Sequence, residues 1–283
     1  MNRQALHRLL VLHMTLLPYF TQANTSIESL LESGALALEI QAKGGHEGRC
    51  LRVHASNTSD AFFVTRLEPG RLLIAGDATQ QDILLTEEVI IALSPAQEME
   101  RSIQGFCYQS SDASPQEGTR FYLGQMTDPF TMKTANYLNA HRDIPLGTQQ
   151  AAVWMLSDCH PMSAIDRKTA ESNALVDFMS ELLHLPKPWY TTEHLKTVDQ
   201  LYSPRVLRVY GEIPFEVITY TVMQVAVIDP TGKVVNQLMR GVPYGPGQYT
   251  MPLDLRVDHW PSGAYEVQLR SDGDLLKAET FEL

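Results

Sequence analysis

This 283-residue chain contains a cysteine, Cys107, and a glutamine, Gln150, that could form an internal thioester. In that reaction the sulfur of the cysteine, here Cys107, attacks the side-chain carbonyl of the glutamine, here Gln150, and ammonia leaves. The acyl group that remains is activated, so an amine that reaches it displaces the sulfur and forms an amide. Because 43 residues separate Cys107 from Gln150, only tertiary folding can bring the two side chains together.

The sequence around both residues resembles the thioester domains of bacterial surface adhesins. Residues 105–108 read Gly-Phe-Cys-Tyr and residues 149–154 read Gln-Gln-Ala-Ala-Val-Trp. The family has an aromatic-Cys-aliphatic-acidic segment and, later, a Thr-Gln-x-Ala-Ile-Trp segment. The resemblance covers about residues 36–160 and implies that Cys107 and Gln150 are the bonded pair. It gives supporting positions to Gln109, which stands where the family has an acidic residue, to Gln149, which replaces a threonine, and to Trp154.

A helix is predicted to position the glutamine. A proline and a glycine interrupt the chain just before Thr148, which is the expected N-cap of a helix from Gln149 to about Leu156. Gln150 would then lie in the first turn, where the partial positive charge of the helix N-terminus stabilises an oxyanion. Judged without the resemblance, the same spacing also fits an ordinary amphipathic helix with Trp154 in a hydrophobic core.

The chain has three cysteines, and this odd number leaves several pairings open. If Cys107 is bonded to Gln150, Cys50 and Cys159 are predicted to form a disulfide in an oxidising compartment. A Cys50–Cys107 disulfide and three buried free thiols are the alternatives. No Cys-x-x-Cys or His-x3-His spacing occurs, and His160 beside Cys159 is an isolated neighbour. No metal site is therefore predicted.

Charge and composition restrict the class of partner. The net charge is −11 and the sequence has no basic run, so a nucleic-acid partner is not expected. Hydrophobic residues make up 44% and charged residues 19%, which is typical of a globular chain long enough for two domains. Nothing in the sequence predicts a cofactor.

The first 23 residues are predicted to be a secretory signal peptide. Arg3 and Arg8 precede the apolar run of residues 9–17, and Ala23 is a small residue at the expected cleavage site. An amphipathic N-terminal helix of a cytosolic protein is the alternative. The run is too short to span a bilayer, and no other stretch is long and apolar enough. The protein is therefore predicted to be secreted or on a bacterial cell surface, with no transmembrane segment.

Short strands separated by turn residues predict a mainly β chain with a helical linker. Apolar or alternating runs between residues 35 and 93 indicate an antiparallel sandwich or barrel-like domain over residues 24–162, which begins with a short helix. Helices are predicted over residues 131–139 and 163–185. The second of these has apolar residues at i, i+4 and i+8 and forms most of a linker over residues 163–203.

A second β domain is predicted over residues 204–283. Residues 225–235 read Val-x-Val-x-Asp-x-x-Gly-Lys-Val-Val, and a Pro-Gly-x-Tyr and a Ser-Gly-x-Tyr-x-Val-x-Leu segment follow. This order resembles the immunoglobulin-like domain of flagellar hook-capping proteins and the C-terminal sorting domain of type IX secretion cargo. The resemblance implies an immunoglobulin-like β-sandwich. Because the basic ending usual in the sorting family is absent, a structural stalk is predicted and a sorting role is not.

Together these features predict a secreted or cell-surface binding or adhesion protein that is not an enzyme. It would attach covalently, through Cys107 and Gln150, to amines of a protein or of another surface ligand. The alternative is a non-covalent extracellular structural or interaction module with the same folds and no thioester.

An enzyme is a third alternative. Cys107 could work as a thiol nucleophile with His141 or His160 as its base, and Asp158 and Asp166 could form an acid–base pair. Neither arrangement has a distinctive spacing in the sequence, so both are weaker than the thioester prediction.

Overall fold

The computed structural model describes residues 25–45, 47–195 and 202–283, and the predicted signal peptide of residues 1–23 lies outside them. As predicted from the sequence, the described chain is mainly antiparallel β, and every pair of its named strands runs antiparallel. None of the described helices has the length and apolar character needed to cross a bilayer.

The first half of the chain begins with a short helix, α1 (Ile27–Glu32), which Ser26 caps by accepting a hydrogen bond from the Ser29 N–H. Strands follow at short intervals, with polar or glycine-containing turns between most of them, as the sequence predicts. They are β1 (Leu36–Ala42), β2 (Leu51–Asn57), β3 (Phe63–Leu67), β4 (Arg71–Ala75), β5 (Ile83–Leu85), β6 (Val89–Leu93), β7 (Glu98–Ile103), β8 (Gly105–Cys107) and β9 (Arg120–Met126).

Seven of these strands form one sheet in the order β7-β2-β1-β9-β4-β5-β8, and β3 pairs with β6 in a two-stranded sheet. The alternation predicted for β2 is present, because Leu51, Val53 and Ala55 are buried while Arg52 between them is exposed. The β8 strand lies at one edge of the large sheet. The helices that follow β9 along the chain pack at this edge.

Three α-helices and one 3-10 helix follow the sheet: α2 (Pro129–Ala140), α3 (Leu146–Ser157), the 3-10 helix (Met162–Ala164) and α4 (Ala170–Leu183). The predicted start of α3 is wrong by three residues. The N-cap residue is Pro145, whose carbonyl already accepts the N–H groups of Thr148 and Gln149, so Thr148 is inside the helix. Gln150 consequently lies in the second turn, farther from the helix N-terminus than predicted.

The single helix predicted over residues 163–185 is also divided. Its first part is the short 3-10 helix, and α4 begins only after Thr169, whose hydroxyl accepts the Ser172 N–H. Helices α2, α3 and α4 bury a shared core that includes Leu138, Val153 and Leu175 together with Leu84 and Phe106 from the edge of the sheet. The helical part of the chain is therefore packed on β5 and β8.

The last part of the chain forms a three-stranded sheet, β10-β11-β14, and a four-stranded sheet, β13-β12-β15-β16. Buried residues of both sheets contribute to one core, which contains Val209, Leu253, Val225 and Phe281. The strands are β10 (Tyr190–His194), β11 (Val206–Val217), β12 (Thr221–Ile228), β13 (Val234–Tyr244), β14 (Gly247–Arg256), β15 (Ala264–Ser271) and β16 (Asp274–Glu282).

The long strand β11 pairs with β14 from Arg208 to Val217. In addition, β10 forms within the region predicted as a linker, because Tyr190 to His194 pair with β11 from Gly211 back to Val206.

Candidate functional site

The structure brings Cys107 and Gln150 into direct contact. The backbone N–H of Cys107 donates a hydrogen bond to Gln150 Oε1 at 3.1 Å, and Gln150 Nε2 donates to the Cys107 carbonyl at 2.8 Å. Both residues are buried, with 0% and 2% of their surface exposed. The side-chain amide of Gln150 is thus paired with both the backbone N–H and the backbone carbonyl of Cys107.

The position of β8 at the sheet edge explains this pairing. On its inner side β8 pairs with β5, with Cys107 opposite Ile83, and the Tyr108 N–H bonds to the Asp82 carbonyl. The N–H and carbonyl of Cys107 point to the outer side, where the described part of the chain adds no further strand. A buried backbone group without a partner is costly, and the Gln150 amide occupies the place of the missing strand.

The two faces of β8 separate two cores. Phe106 packs in the core shared with the helices, while Cys107 packs in the core of the large sheet together with Trp154 of α3. Gly105 permits the close contact with β5, because a Cβ atom there would lie 2.4 Å from Ile83 Cγ2. The sequence Gly-Phe-Cys is therefore matched to a tightly packed edge strand.

A chain of buried polar groups joins β8 to the start of α3. Gln149 Oε1 accepts a hydrogen bond from Gln104 Nε2 at 3.0 Å, and Gln149 Nε2 donates to the Ile144 carbonyl at 2.7 Å. The Gln104 N–H in turn donates to Glu87 Oε2 at 3.0 Å. Gln149, predicted as a supporting residue, is therefore a fully buried bridge between the two elements that carry Cys107 and Gln150.

Glu87 is the charged anchor of this network, and sequence reasoning missed both Glu87 and Gln104. Its carboxylate is 1% exposed and receives three guanidinium groups: Arg101 at 2.9 Å, Arg142 at 3.3 Å and Arg49 at 3.4 Å. These arginines come from three separate parts of the chain, so no local sequence signal identifies the cluster. Its effect is to surround a buried carboxylate next to β8 with three guanidinium groups.

Gln109, the second predicted supporting residue, is hydrogen-bonded to the carboxylate of Asp82, the residue just before β5. Gln109 Nε2 donates to Asp82 Oδ2 at 2.9 Å, and the Asp82 N–H donates to Gln109 Oε1 at 2.7 Å. Asp82 Oδ1 also accepts the Ala75 N–H. Gln109, two residues after Cys107, is therefore in contact with an acidic side chain although it is not acidic itself.

The surroundings of Cys107 favour the neutral thiol. Burial raises the pKa of the Cys107 thiol far above its usual range, and the nearby Cys50 and Glu47 raise it further. Burial also raises the pKa of Cys50 to about 11. A thioester at this place would be shielded from water, whereas its formation would start from a thiol that ionises with difficulty.

The predicted disulfide between Cys50 and Cys159 is wrong, because all three cysteines are unpaired. Cys50 is buried and its sulfur contacts the Gly105 carbonyl at 3.5 Å, whereas Cys159 is exposed after the end of α3. The Cys50–Cys107 alternative is not formed either, although both thiols lie in the same core. Three free thiols, of which two are buried, are the observed state.

Trp154, the third predicted supporting residue, belongs to an aromatic cluster beside the pair. It packs against His160 and Tyr202, and the His160 ring stacks on Tyr202 with centroids 3.6 Å apart. His194 approaches Tyr202 at 5.0 Å. Trp154 is 6% exposed, and its buried Nε1 has no hydrogen-bond partner among the described residues.

Both histidines of this cluster are held toward the neutral form. Burial lowers the pKa of His160, and the positive charge that His194 would carry lowers it further, while Asp158 opposes the shift. Burial also lowers the pKa of His194. His160 Nε2 lies 2.9 Å from Ser110 Oγ, so a neutral imidazole is bonded to a hydroxyl three residues after Cys107.

A cavity of about 560 Å³ opens along α3 beside this cluster. The α3 residues Gly147, Thr148, Ala151 and Trp154 form one wall. The opposite wall comes from the residues that follow the helices and includes His160, Asp166, Lys168, Glu193, His194 and Tyr210. We refer to this space as the α3 cavity.

The thiol-enzyme and paired-carboxylate arrangements are not assembled. His141 stacks on Tyr137 at 4.0 Å at the end of α2, and His160 bonds to Ser110. Asp158 accepts the Ser110 N–H, whereas Asp166 accepts the Tyr210 hydroxyl at 3.1 Å. Each candidate therefore has partners other than the one predicted for catalysis.

Within residues 25–45, 47–195 and 202–283 no cluster of three or more His, Cys, Asp or Glu side chains has an arrangement that would hold a metal ion.

Comparison with known proteins gives little further information. No protein-family model and no curated protein matches the chain. Among solved structures, part of the chain is similar to the Pseudomonas fluorescens alkylpurine DNA glycosylase AlkC bound to DNA containing an abasic site analog, at 16% identity and a TM-score of 0.22. The match covers 55% of this chain and about half of that chain, 52%. A similarity this low supports no conclusion about fold or function.

Proposed function

We propose that the first half of this protein attaches covalently to a partner through a thioester between Cys107 and Gln150. The observation that carries the proposal is the direct, buried contact of these two residues across 43 positions of sequence. One of these hydrogen bonds supports the proposed chemistry. The Cys107 N–H polarises the Gln150 carbonyl and would stabilise the negative charge that develops on Oε1 during attack.

The proposed reaction has two balanced stages. In the first, Cys107 Sγ bonds to Gln150 Cδ, the bond from Cδ to Nε2 breaks, and the thiol proton leaves with the nitrogen as ammonia. In the second, the nitrogen of a partner amine bonds to Cδ and the carbon–sulfur bond breaks. The sulfur recovers a proton, for which the raised thiol pKa makes it a strong acceptor. Each molecule reacts once.

A specific observation also supports the alternative of a non-covalent module. The hydrogen bonds between Gln150 and Cys107 complete the edge of the sheet without any reaction, and the thiol is held neutral by its burial. In this alternative Gln150 is a structural cap of β8, and the protein binds its partner through surfaces only.

The two functions differ in the mass of the purified chain. In the covalent function, protein prepared without nucleophilic buffers has a mass lower than the sequence mass by one ammonia, and methylamine adds to Gln150. In the non-covalent function, the mass equals that of the plain chain and methylamine adds nothing. A mass lower by two hydrogens would reveal a disulfide. Mapping the peptides that contain Cys107 and Gln150 assigns each change to its residues.

We further propose that the protein works outside the cell or on a bacterial cell surface, with residues 204–283 as an immunoglobulin-like stalk. The support is the predicted signal sequence in residues 1–23 and the pair of sheets around one core in the last part of the chain. Expression of the full chain with detection of N-terminal cleavage near Ala23 tests the first part. An uncleaved N-terminus on protein recovered from the cytosol would contradict it.

A further inference from the structure

We propose that the three arginines around Glu87 form a docking site for an acidic polypeptide segment of a partner. The arginines are Arg49, Arg101 and Arg142, and we call them the arginine cluster. The inference goes beyond the thioester chemistry and does not depend on it, because none of these residues takes part in the proposed reaction. The cluster lies beside β8, since Glu87 accepts the N–H of Gln104, the residue just before that strand.

The arginine cluster has more positive charge than its surroundings compensate. One nitrogen of each of the three guanidinium groups lies within 3.4 Å of the same atom, Glu87 Oε1. Among the described residues no other carboxylate forms an ion pair with any of the three arginines. Three positive charges therefore face one negative charge, in a chain whose net charge is −11. A local excess of positive charge attracts an anionic group.

The positive charges of the cluster are accessible, whereas the carboxylate is not. The three arginine side chains are 42–53% exposed, while that of Glu87 is 1% exposed. Arg101 bonds to Glu87 through Nη2, and its Nε and Nη1 have no hydrogen-bond partner in the described part of the chain. These N–H groups can bind a further carboxylate, because guanidinium donors and carboxylate oxygens match in charge and geometry.

Two further contacts order the cluster and widen it. Arg142 Nε donates to the Asn139 carbonyl at 3.1 Å, and its Nη2 donates to Asn139 Oδ1 at 2.8 Å. Arg49 Nη1 donates to the Ser102 carbonyl at 2.7 Å, and Lys43 Nζ donates to the hydroxyl of the same serine at 3.0 Å. Lys43 thus adds a fourth positive charge. Side chains that are already held in place lose less conformational freedom when a ligand binds.

The size of the charge excess favours a short acidic segment over an extended polyanion. The excess is confined to the arginine cluster and Lys43, while the chain as a whole is strongly acidic. A nucleic acid, a sulfated polysaccharide or an anionic membrane has negative charges that extend beyond the cluster, where the acidic protein repels them. One or two neighbouring Asp or Glu side chains match the local excess, and a polypeptide segment provides them.

The test measures reversible binding of two blocked pentapeptides to the full chain by fluorescence anisotropy at about 20 mM salt, where screening is weak. Ala-Glu-Asp-Glu-Ala is the acidic probe and Ala-Gln-Asn-Gln-Ala is its uncharged counterpart, both with the same neutral dye. We expect only the acidic peptide to bind. Arg101→Gln and Arg49→Gln should each weaken its binding by about tenfold, because each variant loses charged hydrogen-bond donors.

Arg208→Gln is the matched control and should bind the acidic peptide as the parent does. Arg208 is 40% exposed, similar to Arg101, but it pairs with Asp254 and Glu193 in the last part of the chain. Chemical denaturation of each variant shows that it is folded before the affinities are compared. Two cluster variants are used so that one of them can be judged if the other is unfolded.

Several results would overturn the docking site. The first is that the parent binds neither peptide, or binds both equally. The second is unchanged affinity in both Arg101→Gln and Arg49→Gln, or an equal loss in Arg208→Gln. Tighter binding of polyphosphate than of the acidic peptide, lost in the same two variants, would overturn the choice of a polypeptide. Peptide binding is measured apart from ammonia loss and methylamine addition, so failure of the thioester function leaves this result unaffected.

Discussion

The first half of the chain and its last part differ in the kinds of residue that form their cores. Around β8 the buried residues include Glu87, Gln149 and Gln150, each held by several hydrogen bonds. In the described residues from 206 onward, Thr221 is the only buried polar residue, and the core is otherwise aliphatic and aromatic. Both interiors are closed, but a network of buried polar side chains is present only beside β8 within the described residues.

This difference is informative because buried polar groups are costly unless every one is paired. A fold that needed only stability could be built like the last part of the chain. The polar network beside Cys107 instead fixes the distance and orientation of two elements, β8 and α3. We therefore expect the two regions to respond differently to substitution.

The largest effect is expected in the apolar core of the last part of the chain. Leu269 is fully buried between the sheets, and Leu269→Ala should lower the free energy of unfolding by about 3–4 kcal/mol through lost burial and the cavity that remains. Chemical denaturation followed by tryptophan fluorescence measures the change. Leu276→Ala, at a partly exposed position of β16, is the control and should change it by less than about 1 kcal/mol. Equal effects at the two positions would contradict a tightly packed core.

A smaller loss is expected at the charged anchor of the polar network. Glu87→Ala removes the acceptor of three guanidinium groups and of the Gln104 N–H. The arginines are about half exposed and can turn to water, so we expect a loss of about 2–3 kcal/mol, below the usual cost of breaking a fully buried pair.

Glu87→Gln is the matched variant, since it keeps the shape and the hydrogen-bond acceptor but removes the charge. It should lose less stability than Glu87→Ala in the same denaturation experiment. If the two variants were equally stable, the charge of Glu87 would be the whole contribution and its hydrogen bond to β8 would contribute nothing.

Replacing the glutamine of the central pair separates structure from reactivity. Gln150→Ala leaves the N–H and carbonyl of Cys107 without their partner, which should cost about 1–3 kcal/mol. It should also abolish any addition of methylamine. Cys107→Ala keeps the backbone groups and the glutamine amide, so it should abolish methylamine addition at a smaller cost in stability. A stable Gln150→Ala protein would show that the hydrogen bonds do not hold the edge of the sheet.

The smallest effect is a pH dependence of the aromatic cluster. Burial lowers the pKa of His160 and His194 below their usual value of 6.5, so the unfolded chain binds protons more readily than the folded chain. The stability that these neutral histidines contribute is complete above about pH 6.5 and falls as the pH decreases below it.

The double variant His160→Gln, His194→Gln should show a shallower loss of stability between pH 7.5 and pH 5 than the parent. Urea unfolding at a series of pH values measures both curves. Parallel curves for the two proteins would contradict a contribution from these histidines. The acidic groups common to both proteins cancel in the comparison.

Sequence periodicity predicted much of this fold because it reports local burial. The alternation of Leu51 and Val53 predicted β2, and the predicted helix over residues 131–139 lies within α2 (Pro129–Ala140). The errors have two causes: a remote contact that decides the structure, and a helix start that no side-chain cap marks. The linker strand β10 exists because β11 provides its partner, and the early start of α3 depends on Pro145, which has no side-chain cap signal.

The candidate site was predictable only in part for the same reason. The resemblance to adhesin thioester domains pointed to Cys107 and Gln150, and the structure brings them together. Glu87 and Gln104 contact the site through partners far away in sequence, and neither residue stands in a recognisable pattern. The false Cys50–Cys159 pairing followed from counting cysteines, which contains no information about distance.

Strand β10 determines where the chain can be cut to give a folded fragment. Tyr190 to His194 form the outer strand of the β10-β11-β14 sheet. The indole N–H of Trp189 also donates to the Thr280 carbonyl at 2.7 Å, and the Tyr190 hydroxyl accepts the Glu282 N–H at 3.1 Å. A fragment cut at residue 204 would lose this strand and expose the edge of β11 to association with other copies. A fragment that begins before Trp189 would retain β10 and the two hydrogen bonds that join Trp189 and Tyr190 to β16.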